Sequence, residues 1–152
     1  MSVIQKAYND VQKFNAIADN FSNVDKESIK RQISFITEEL KETQKAFDEG
    51  DSKELLDGLC DVFVTWAGLA QKMSVAGYDV PSALKRVNEN NLSKFPKRAT
   101  DEDLENPDRF LTKNFTCDCV VLKNAAGKIM KPSDFKPVDL SDLVPPNFFK
   151  GE

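Results

Sequence analysis

The fold is decided by residues 38–61, which read EELKETQKAFDEGDSKELLDGLCD. Gly50, in the middle of this stretch, is the kind of residue that ends a helix. Asp51 follows it as the N-cap of the next helix, and Glu54 takes the third helical position, as in a capping box. The stretch therefore predicts two helices joined by a tight turn, which makes them antiparallel neighbours.

Five carboxylates are distributed over these two helices: Glu38, Glu39 and Glu42 on the first, and Asp57 and Asp61 on the second. Residues three or four apart share one side of a helix, so each helix acquires an acidic side. Like charges at these spacings cost about 0.2–0.5 kcal/mol even on an exposed helix. Carboxylate oxygens suit Mg²⁺ or Mn²⁺, and Mg²⁺ is often held by a few carboxylates together with substrate phosphates. The cluster therefore points to a divalent cation and to chemistry on phosphate esters or anhydrides.

Hydrophobic periodicity extends the helical region in both directions. A first helix is predicted over about residues 3–20, and Asp25 is expected to cap the second. The third helix is expected to stop at Gly77, and a fourth to follow Asp79 and run to about Phe95. The broad apolar stripes on these helices predict a four-helix bundle.

The chain changes character after the fourth helix. Residues 97–109 are mostly charged. Short strands are predicted at 116–122 and 128–130, around a hairpin turn at Asn124–Gly127. Prolines in the last stretch predict an extended tail. The expected fold class is all-α, a four-helix bundle with a short C-terminal β-hairpin and an extended tail.

Length and charge bound the protein further. At 152 residues the chain has the length of one domain. That domain is predicted over 1–152, with its helical core at about 1–96 and the hairpin and tail at about 97–152. A net charge of −4 with acids and bases interspersed argues against a nucleic-acid binder. No apolar run approaches the roughly 18 residues of a membrane span, so no membrane partner is expected and the predicted location is the cytoplasm.

Histidine and cysteine content narrows the chemistry. The chain contains no histidine, which excludes a Ser-His-Asp triad and a Cys-His dyad. Three cysteines do not predict a disulfide framework. Cys117-Asp118-Cys119 lacks the second pair that a zinc site needs, so its cysteines are expected to be ordinary strand residues. Catalysis that depends on carboxylates alone is not excluded by this composition.

Three motifs, in order along the chain, carry a resemblance to a known family. Glu38–Glu42 fits the pattern E-E-x-x-E, residues 57–63 fit D-x-L-x-D followed by apolar residues, and Asn91–Lys94 fits N-x-S-K. Together residues 34–96 resemble the all-α nucleoside triphosphate pyrophosphohydrolases. This superfamily contains MazG-like enzymes, dimeric dUTPases and phosphoribosyl-ATP pyrophosphohydrolase, and the likeness is to its smaller bacterial and phage members. The trailing hairpin and Pro-Asp tail are also similar.

One position departs from the family pattern. Many relatives have E-x-x-D on the third helix, with the aspartate where Asp61 falls, but residue 58 is glycine here. Asp57 serves in its place in one interpretation, which keeps the downstream motifs in register and is the one favoured. In the other, Glu54 and Asp57 are the literal E-x-x-D pair.

The resemblance implies an activity and a set of roles. A nucleoside triphosphate would be hydrolysed between its α- and β-phosphates, giving a monophosphate and pyrophosphate. Mg²⁺, or alternatively Mn²⁺, would be bound by four of the acids. The metal ligands implied are Glu39, Glu42, Asp57 and Asp61, and Glu38 is implied as the general base that orients the attacking water.

Substrate binding is assigned to the end of the fourth helix. Lys94 would neutralise phosphate charge, and Asn91 would hydrogen-bond the phosphate or the sugar. Both residues also have a structural explanation, since a lysine in the last turn suits the helix dipole and an asparagine near the end can cap.

The acids have structural explanations too. Residues 38–42 would then form a solvated face whose charges are paired with Lys41 and Lys45. Asp61 stands between apolar neighbours, so partial burial is expected, with the hydroxyl of Thr65 as its structural partner.

Two further expectations concern assembly and role. The apolar stripes exceed what one bundle can cover, and relatives are oligomeric, so a homodimer or homotetramer is expected. Likeness to the family implies control or housecleaning of the nucleotide pool, with a nucleoside triphosphate as the substrate. The alternative is a helical module with a degraded site that senses nucleotides or binds a protein.

Overall fold

The computed structural model describes residues 1–114 and 116–149. These residues form mainly α-helices, with two short strands near the C-terminus, so the predicted all-α class with a C-terminal hairpin is confirmed. None of the described helices is long and apolar enough to cross a membrane. The elements are α1 (Val3–Ile17), α2 (Lys26–Glu49), α3 (Ser52–Val75), α4 (Val80–Leu92), α5 (Asp101–Glu105), β1 (Phe110–Asn114) and β2 (Cys119–Lys123).

The chain divides into two compact units. The first comprises Met1–Val80 and the segment that starts at Leu143, and the second comprises Pro81–Asp142. The first unit therefore holds α1, α2 and α3, and the second holds most of α4 together with α5 and the two strands. The expectation of a single domain stays a prediction.

The two long helices of the first unit begin and end where the sequence predicts. Asp25 caps α2 in a reciprocal capping box with Ser28, and Gly50 ends α2 with a left-handed φ of 71°. Asp51 caps α3 by accepting from two backbone amides, including that of Glu54. The capping box predicted here does not form, because the Asp51 amide donates to the carbonyl of Ala46 instead.

Helices α2 and α3 pack closely against each other. Gly58 is buried at their contact, where a Cβ atom would lie 2.5 Å from Thr43 Oγ1 and 3.2 Å from Thr43 Cα. Ala46 is also buried on this side of α2. Small side chains at the contact allow the two helix backbones to approach.

Packing leaves α2 and α3 with two unlike flanks. Ile33, Leu40 and Phe47 follow one another at seven-residue intervals on α2 and are largely exposed. Leu56 and Leu59 of α3 are exposed at 64% and 63%. In an antiparallel pair these residues fall on the same side of the contact, and the acidic residues fall on the other. We call these sides the apolar flank and the acidic flank.

Helix α1 and the C-terminal segment complete the first unit. Val11 and Asn15 of α1 are buried, and α1 packs against α3. The helix is shorter than predicted, because Asp19 adopts a left-handed φ of 56° soon after its end. In the C-terminal segment, Phe148 makes an edge-to-face contact with Tyr78.

The second unit begins with α4, which ends at Leu92 rather than at Phe95. Beyond Leu92 the amides of Lys94 and Phe95 bond to carbonyls three residues back, as in a turn, and Pro96 follows. The helix therefore stops before the lysine of its N-x-S-K motif.

The strands lie partly where the sequence did not place them. Strand β1 pairs antiparallel with β2, with Phe110 opposite Lys123, whereas no strand was predicted at 110–114. The predicted turn at Asn124–Gly127 does form, but it leads only to a single bridge between Lys123 and Ile129. The main hairpin connection lies before β2.

Two cysteines close that connection. Cys117 and Cys119 form a disulfide, with the intervening Asp118 at a left-handed φ of 48°. The sequence did not predict this pairing, because an odd number of cysteines does not indicate a disulfide framework. Only Cys119 belongs to β2, and the turn at Asp118 brings the two sulfurs together.

Asp103, in α5, is fully buried in the second unit. Its carboxylate accepts from the amides of Ser133 and Thr100 and forms a salt bridge with Arg109. One side chain thus joins α5 to two later segments. Sequence analysis assigned this region only as charged.

Candidate functional site

The acidic flank carries all five predicted site carboxylates of the first unit. Four are exposed, namely Glu38, Glu42, Asp57 and Asp61, and Glu39 is half-buried between the helices. The predicted partial burial of Asp61 is wrong. Its apolar neighbours in sequence point to other sides of α3, and Asp61 itself lies beside the contact with α2 rather than in it.

The electrostatics of Glu39 show that the acids are close together. Partial burial raises the pKa of the Glu39 carboxyl above its usual value, and nearby negative charges raise it further. Those charges belong to residues on both helices: Asp61, Glu42, Glu38 and Asp57. The fold therefore concentrates negative charge around one half-buried carboxylate.

No salt bridge relieves this charge within the described part of the chain. Lys45, which was considered as a partner for these acids, pairs instead with Glu49, 3.9 Å away. Lys41 forms no salt bridge with them. The solvated face of internal ion pairs that sequence analysis considered is thus not what the structure contains.

The structural explanation for Asp61 also fails. The Thr65 hydroxyl donates to the backbone carbonyls of Asp61 and Val62 and not to the Asp61 carboxylate. The hydroxyl proton is thus used by backbone carbonyls, and the Asp61 carboxylate can bind another ligand.

The donor set fits a hard divalent cation by its chemistry. Glu39, Glu42, Asp57 and Asp61 supply only carboxylate oxygens, which Mg²⁺ and Mn²⁺ favour, and their mutual repulsion would be relieved by positive charge. In residues 1–114 and 116–149, however, no three acid or cysteine side chains are arranged to hold a metal. The side chains would have to turn toward a bound ion.

Gly58 has a packing role. The position faces Thr43 across the contact between α2 and α3, so the Cβ atom of a glutamate there would lie 2.5 Å from Thr43 Oγ1 and 3.2 Å from Thr43 Cα. Its departure from the family pattern is therefore explained by the close approach of the two helices. Asp57, one residue earlier, lies on the acidic flank and is among the charges that act on Glu39.

Asn91 and Lys94 lie in the second unit, where they contact each other. Lys94 Nζ donates to Asn91 Oδ1 at 2.8 Å. Asn91 lies within α4, whose last residue is Leu92, so it does not occupy the capping position that the structural explanation gave it. The pair presents an ammonium group beside an amide at the end of α4.

A group of amides in the first unit was not predicted from the sequence. Asn15, Gln32 and Gln71 are buried, and they lie beside or close to an open cavity of about 160 Å³ between the three helices. Asn20 also lines this cavity. A polar residue inside the apolar stripe of the first helix, such as Asn15, is the signal that would have revealed the group.

Comparison with known proteins gives one match. Residues 16–89, just under half of the chain, match the family model described as phosphoribosyl-ATP pyrophosphohydrolase. The matched region includes all five carboxylates but neither Asn91 nor Lys94. No curated protein and no solved structure matches the chain significantly. The family's enzymes are pyrophosphohydrolases, which act on phosphoanhydride bonds. Residues 16–89 are therefore similar to the phosphoribosyl-ATP pyrophosphohydrolase family, which lies within the MazG-like superfamily of nucleoside triphosphate pyrophosphohydrolases.

Proposed function

We propose that this protein is a metal-dependent nucleoside triphosphate pyrophosphohydrolase, which releases pyrophosphate and a nucleoside monophosphate and serves to control or clean the nucleotide pool. The observation that carries the proposal is the acidic flank. Its five carboxylates lack salt-bridge partners among the described residues, and four of them raise the pKa of the fifth, Glu39. Charge left unrelieved in a folded protein is costly, and a bound cation would relieve it.

The carboxylates would have two roles, metal binding and proton transfer. Glu39, Glu42, Asp57 and Asp61 would hold Mg²⁺ or Mn²⁺, which when bound polarises phosphate oxygens and lowers the pKa of a bound water. Glu38 is exposed and its charge acts on Glu39, which supports the proposal that it would accept a proton from the attacking water.

Two residues of the second unit would bind the substrate. Lys94 would neutralise phosphate charge, for which its ammonium group would leave Asn91 Oδ1. Asn91 would then hydrogen-bond the substrate, with Nδ2 as the donor to a phosphate oxygen or with the freed Oδ1 as the acceptor from a sugar hydroxyl.

The apolar flank supports self-association. Leu40, Phe47, Leu56 and Leu59 are each more than half exposed on neighbouring helices. A second copy of the chain would bury them, so we propose a homodimer, or a homotetramer built from such pairs.

A helical module with a degraded site is the second candidate. It is favoured by one observation, that no three acids among the described residues are arranged to hold a metal. The glycine at position 58, which sequence analysis counted in its favour, has a packing explanation instead.

Pyrophosphate release separates the two candidates. Ribo- and deoxynucleoside triphosphates are assayed with Mg²⁺, Mn²⁺ or EDTA, using the native protein, Glu42→Gln and Asp61→Asn. Loss of a metal ligand is expected to lower kcat at least about 100-fold. Glu49→Gln is the matched control, because Glu49 is an exposed carboxylate of the same helix that already pairs with Lys45.

Metal-dependent release that both site variants abolish, and that Glu49→Gln keeps, would support the enzyme. If well-folded protein releases no pyrophosphate from any nucleotide, the binding module is the better account.

A further inference from the structure

We propose that the disulfide between Cys117 and Cys119 is a reversible redox site, and that its reduction by a dithiol loosens the end of α4 where Asn91 and Lys94 lie. The consequence for catalysis rests on the proposed function, in which Lys94 binds the triphosphate. The inference is carried by the shortness of the loop that the disulfide closes, by the unequal exposure of its two cysteines and by its contacts with the segment that follows α4.

The disulfide is a poor cross-link for the fold as a whole. It joins cysteines that are two positions apart, so the loop that it closes contains one intervening residue, Asp118. The stabilisation that a disulfide gives grows with the length of the closed loop, because a longer loop loses more freedom in the unfolded chain. A disulfide across a single residue therefore acts mainly on its own turn.

The two cysteines differ in their access to solvent. Cys117 is exposed, whereas Cys119 belongs to β2 and keeps only 8% of its accessible surface. Exposed disulfides are the ones that exchange readily with external thiols, while buried structural disulfides resist reduction. A reductant in solution therefore reaches the sulfur of Cys117 first.

Reduction follows ordinary thiol–disulfide exchange. A thiolate of the dithiol attacks Sγ of Cys117, the bond between the two cysteines breaks, and Cys119 leaves as a thiolate that takes up a proton. The second thiolate of the dithiol then attacks its partner sulfur in the mixed disulfide, so that Cys117 also leaves and is protonated. The dithiol is oxidised to its disulfide, and the protein gains two electrons and two protons.

The closed loop holds Asp118 in an uncommon backbone conformation. Its φ of 48° lies in the left-handed region, which aspartate adopts less readily than glycine. The Asp118 carboxylate also pairs with Lys113 of β1, 3.5 Å away. An exposed ion pair of this kind contributes little, so the disulfide is the stronger constraint on the turn. Reduction is expected to let Asp118 leave the left-handed region.

The disulfide shares an open cavity with the end of α4. Both Cys117 and Cys119 line this cavity, which has a volume of about 440 Å³. The last residue of α4 and the segment after it contribute three more lining residues, Leu92, Phe95 and Lys97. Separating the two sulfurs would therefore change the wall of a cavity that this segment helps to form.

A hydrogen bond joins the strand beside the disulfide to the same segment. The amide of Val120, the residue after Cys119, donates to the carbonyl of Pro96 at 2.7 Å. Lys94 lies two residues before Pro96, and its Nζ donates to Asn91 Oδ1. A change at Cys119 therefore reaches the N-x-S-K motif through one hydrogen bond and a short length of backbone.

Reduction is expected to weaken substrate binding and to leave the chemical step unchanged. Asn91 and Lys94 belong to the same unit as the disulfide, whereas the five carboxylates of the acidic flank belong to the first unit. An interaction that binds substrate and transition state equally well changes KM and not kcat when it is lost. The redox state of the disulfide should therefore be seen in KM.

The first test follows the disulfide and its neighbouring hydrogen bond without substrate. The protein carries Cys60→Ser, which removes the free, exposed thiol of α3. Dithiothreitol is expected to release two thiols per chain that iodoacetamide then alkylates. Amide exchange measured by NMR should become about tenfold faster at Val120, the effect of releasing one short loop. The amide of Met130, which bonds to the buried Leu122 farther along β2, should exchange at an unchanged rate.

Cys117→Ser keeps the site open without a reductant. The position is exposed, so the substitution removes the disulfide and leaves the buried Cys119 in place. In the Cys60→Ser background, this variant should exchange at Val120 as fast as the reduced protein, with or without dithiothreitol. Thr116→Ser, at an exposed position of the same connection, is the matched control and should exchange like the oxidised protein.

The second test measures steady-state kinetics with Mg²⁺ in both redox states. The substrate is the nucleoside triphosphate from which the oxidised protein releases pyrophosphate fastest. The reduced protein and Cys117→Ser should share a KM about 3- to 10-fold above that of the oxidised protein, the effect of one hydrogen bond. All three should share the same kcat.

The outcomes separate this inference from the proposed function. Hydrolysis with the same KM in both redox states, or a disulfide that dithiothreitol does not open in the folded protein, would overturn the inference and leave the enzyme standing. An equal response of Cys117→Ser to dithiothreitol would assign the effect to another group and also overturn the inference. Faster exchange at Val120 on reduction, in a protein that hydrolyses no triphosphate, would support the redox site and overturn the enzyme.

Discussion

The two units use carboxylates in opposite ways. In the second unit, Asp103 is buried and surrounded by donors from Thr100, Ser133 and Arg109. In the first unit, the acids of the acidic flank are mostly exposed, and those around Glu39 raise its pKa. Asp103 thus stabilises the fold that holds it, whereas the acidic flank is a source of repulsion.

This difference shows how a structural acid is told from a candidate functional one. A buried carboxylate that has all its hydrogen-bond and salt-bridge partners is accounted for by its role in stabilising the fold. Exposed carboxylates that converge without partners are not explained by stability, because separating them would be favourable. A structural acid is therefore distinguished from a candidate functional acid by its burial and its partners, and not by its residue type.

The largest expected effect on stability is at Asp103. Asp103→Asn would keep one acceptor for the Ser133 amide but would leave Arg109 without its counter-charge. Breaking a buried pair in this way typically costs about 3–5 kcal/mol. Asp61→Asn should change the free energy of unfolding by less than about 0.5 kcal/mol. Asp101→Asn, at an exposed residue of the same helix as Asp103, is the matched control.

The two units require separate reporters. Trp66, the single tryptophan, reports the first unit by fluorescence during urea unfolding. Hydrogen exchange in peptides covering residues 97–135 reports the second. If Asp103→Asn left exchange in those peptides unchanged, the structural role of the buried carboxylate would be refuted.

The next effect concerns Gly58, at the contact between the helices. Replacing an exposed helical glycine by alanine raises the free energy of unfolding by roughly 1 kcal/mol. Gly58→Ala should instead lose about 1–2 kcal/mol, because its Cβ would lie 2.5 Å from Thr43 Oγ1. Thr43→Ala in the same chain should restore part of the loss. Chemical denaturation measures the native protein and both variants. A Gly58→Ala protein more stable than the native one would show that the helices are less close.

The smallest effect tests the acidic flank by pH. A carboxyl whose pKa is raised on folding binds its proton more tightly in the folded state, so stability falls as pH rises past the ordinary value of 4.5. In EDTA, Glu39→Gln should therefore raise Tm at pH 7 by about one degree, and the gain should vanish near pH 4. Glu49→Gln, which breaks the salt bridge with Lys45, should raise Tm at neither pH. A gain of the same size at both pH values would count against the charge effect.

The sequence predicted the helix pair because its signals are local. Asp25, Gly50 and Asp51 act on backbone groups within a few residues, so their effects can be recognised without the rest of the fold. The acids were likewise located by helical spacing alone, whereas the roles assigned to them stay predictions.

Other features depend on contacts that are distant in sequence. Gln71 accepts from Asn15 and donates to the Tyr8 carbonyl, and these two bonds join α3 to α1 and exist only after packing. The partners of Asp103 come from separate segments as well. The exposure of Asp61 was mispredicted because apolar neighbours along the chain do not determine which side of a helix becomes covered.

The two-residue connection at Gly50 and Asp51 has a consequence for the order of folding. It places every acid of the acidic flank within residues 38–61, a single helix–turn–helix segment. Contacts between residues close in sequence are the ones that chains form fastest. The acidic flank can therefore assemble before α1 packs onto α3, so a cation that neutralised it would favour an early folding step as well as the finished protein.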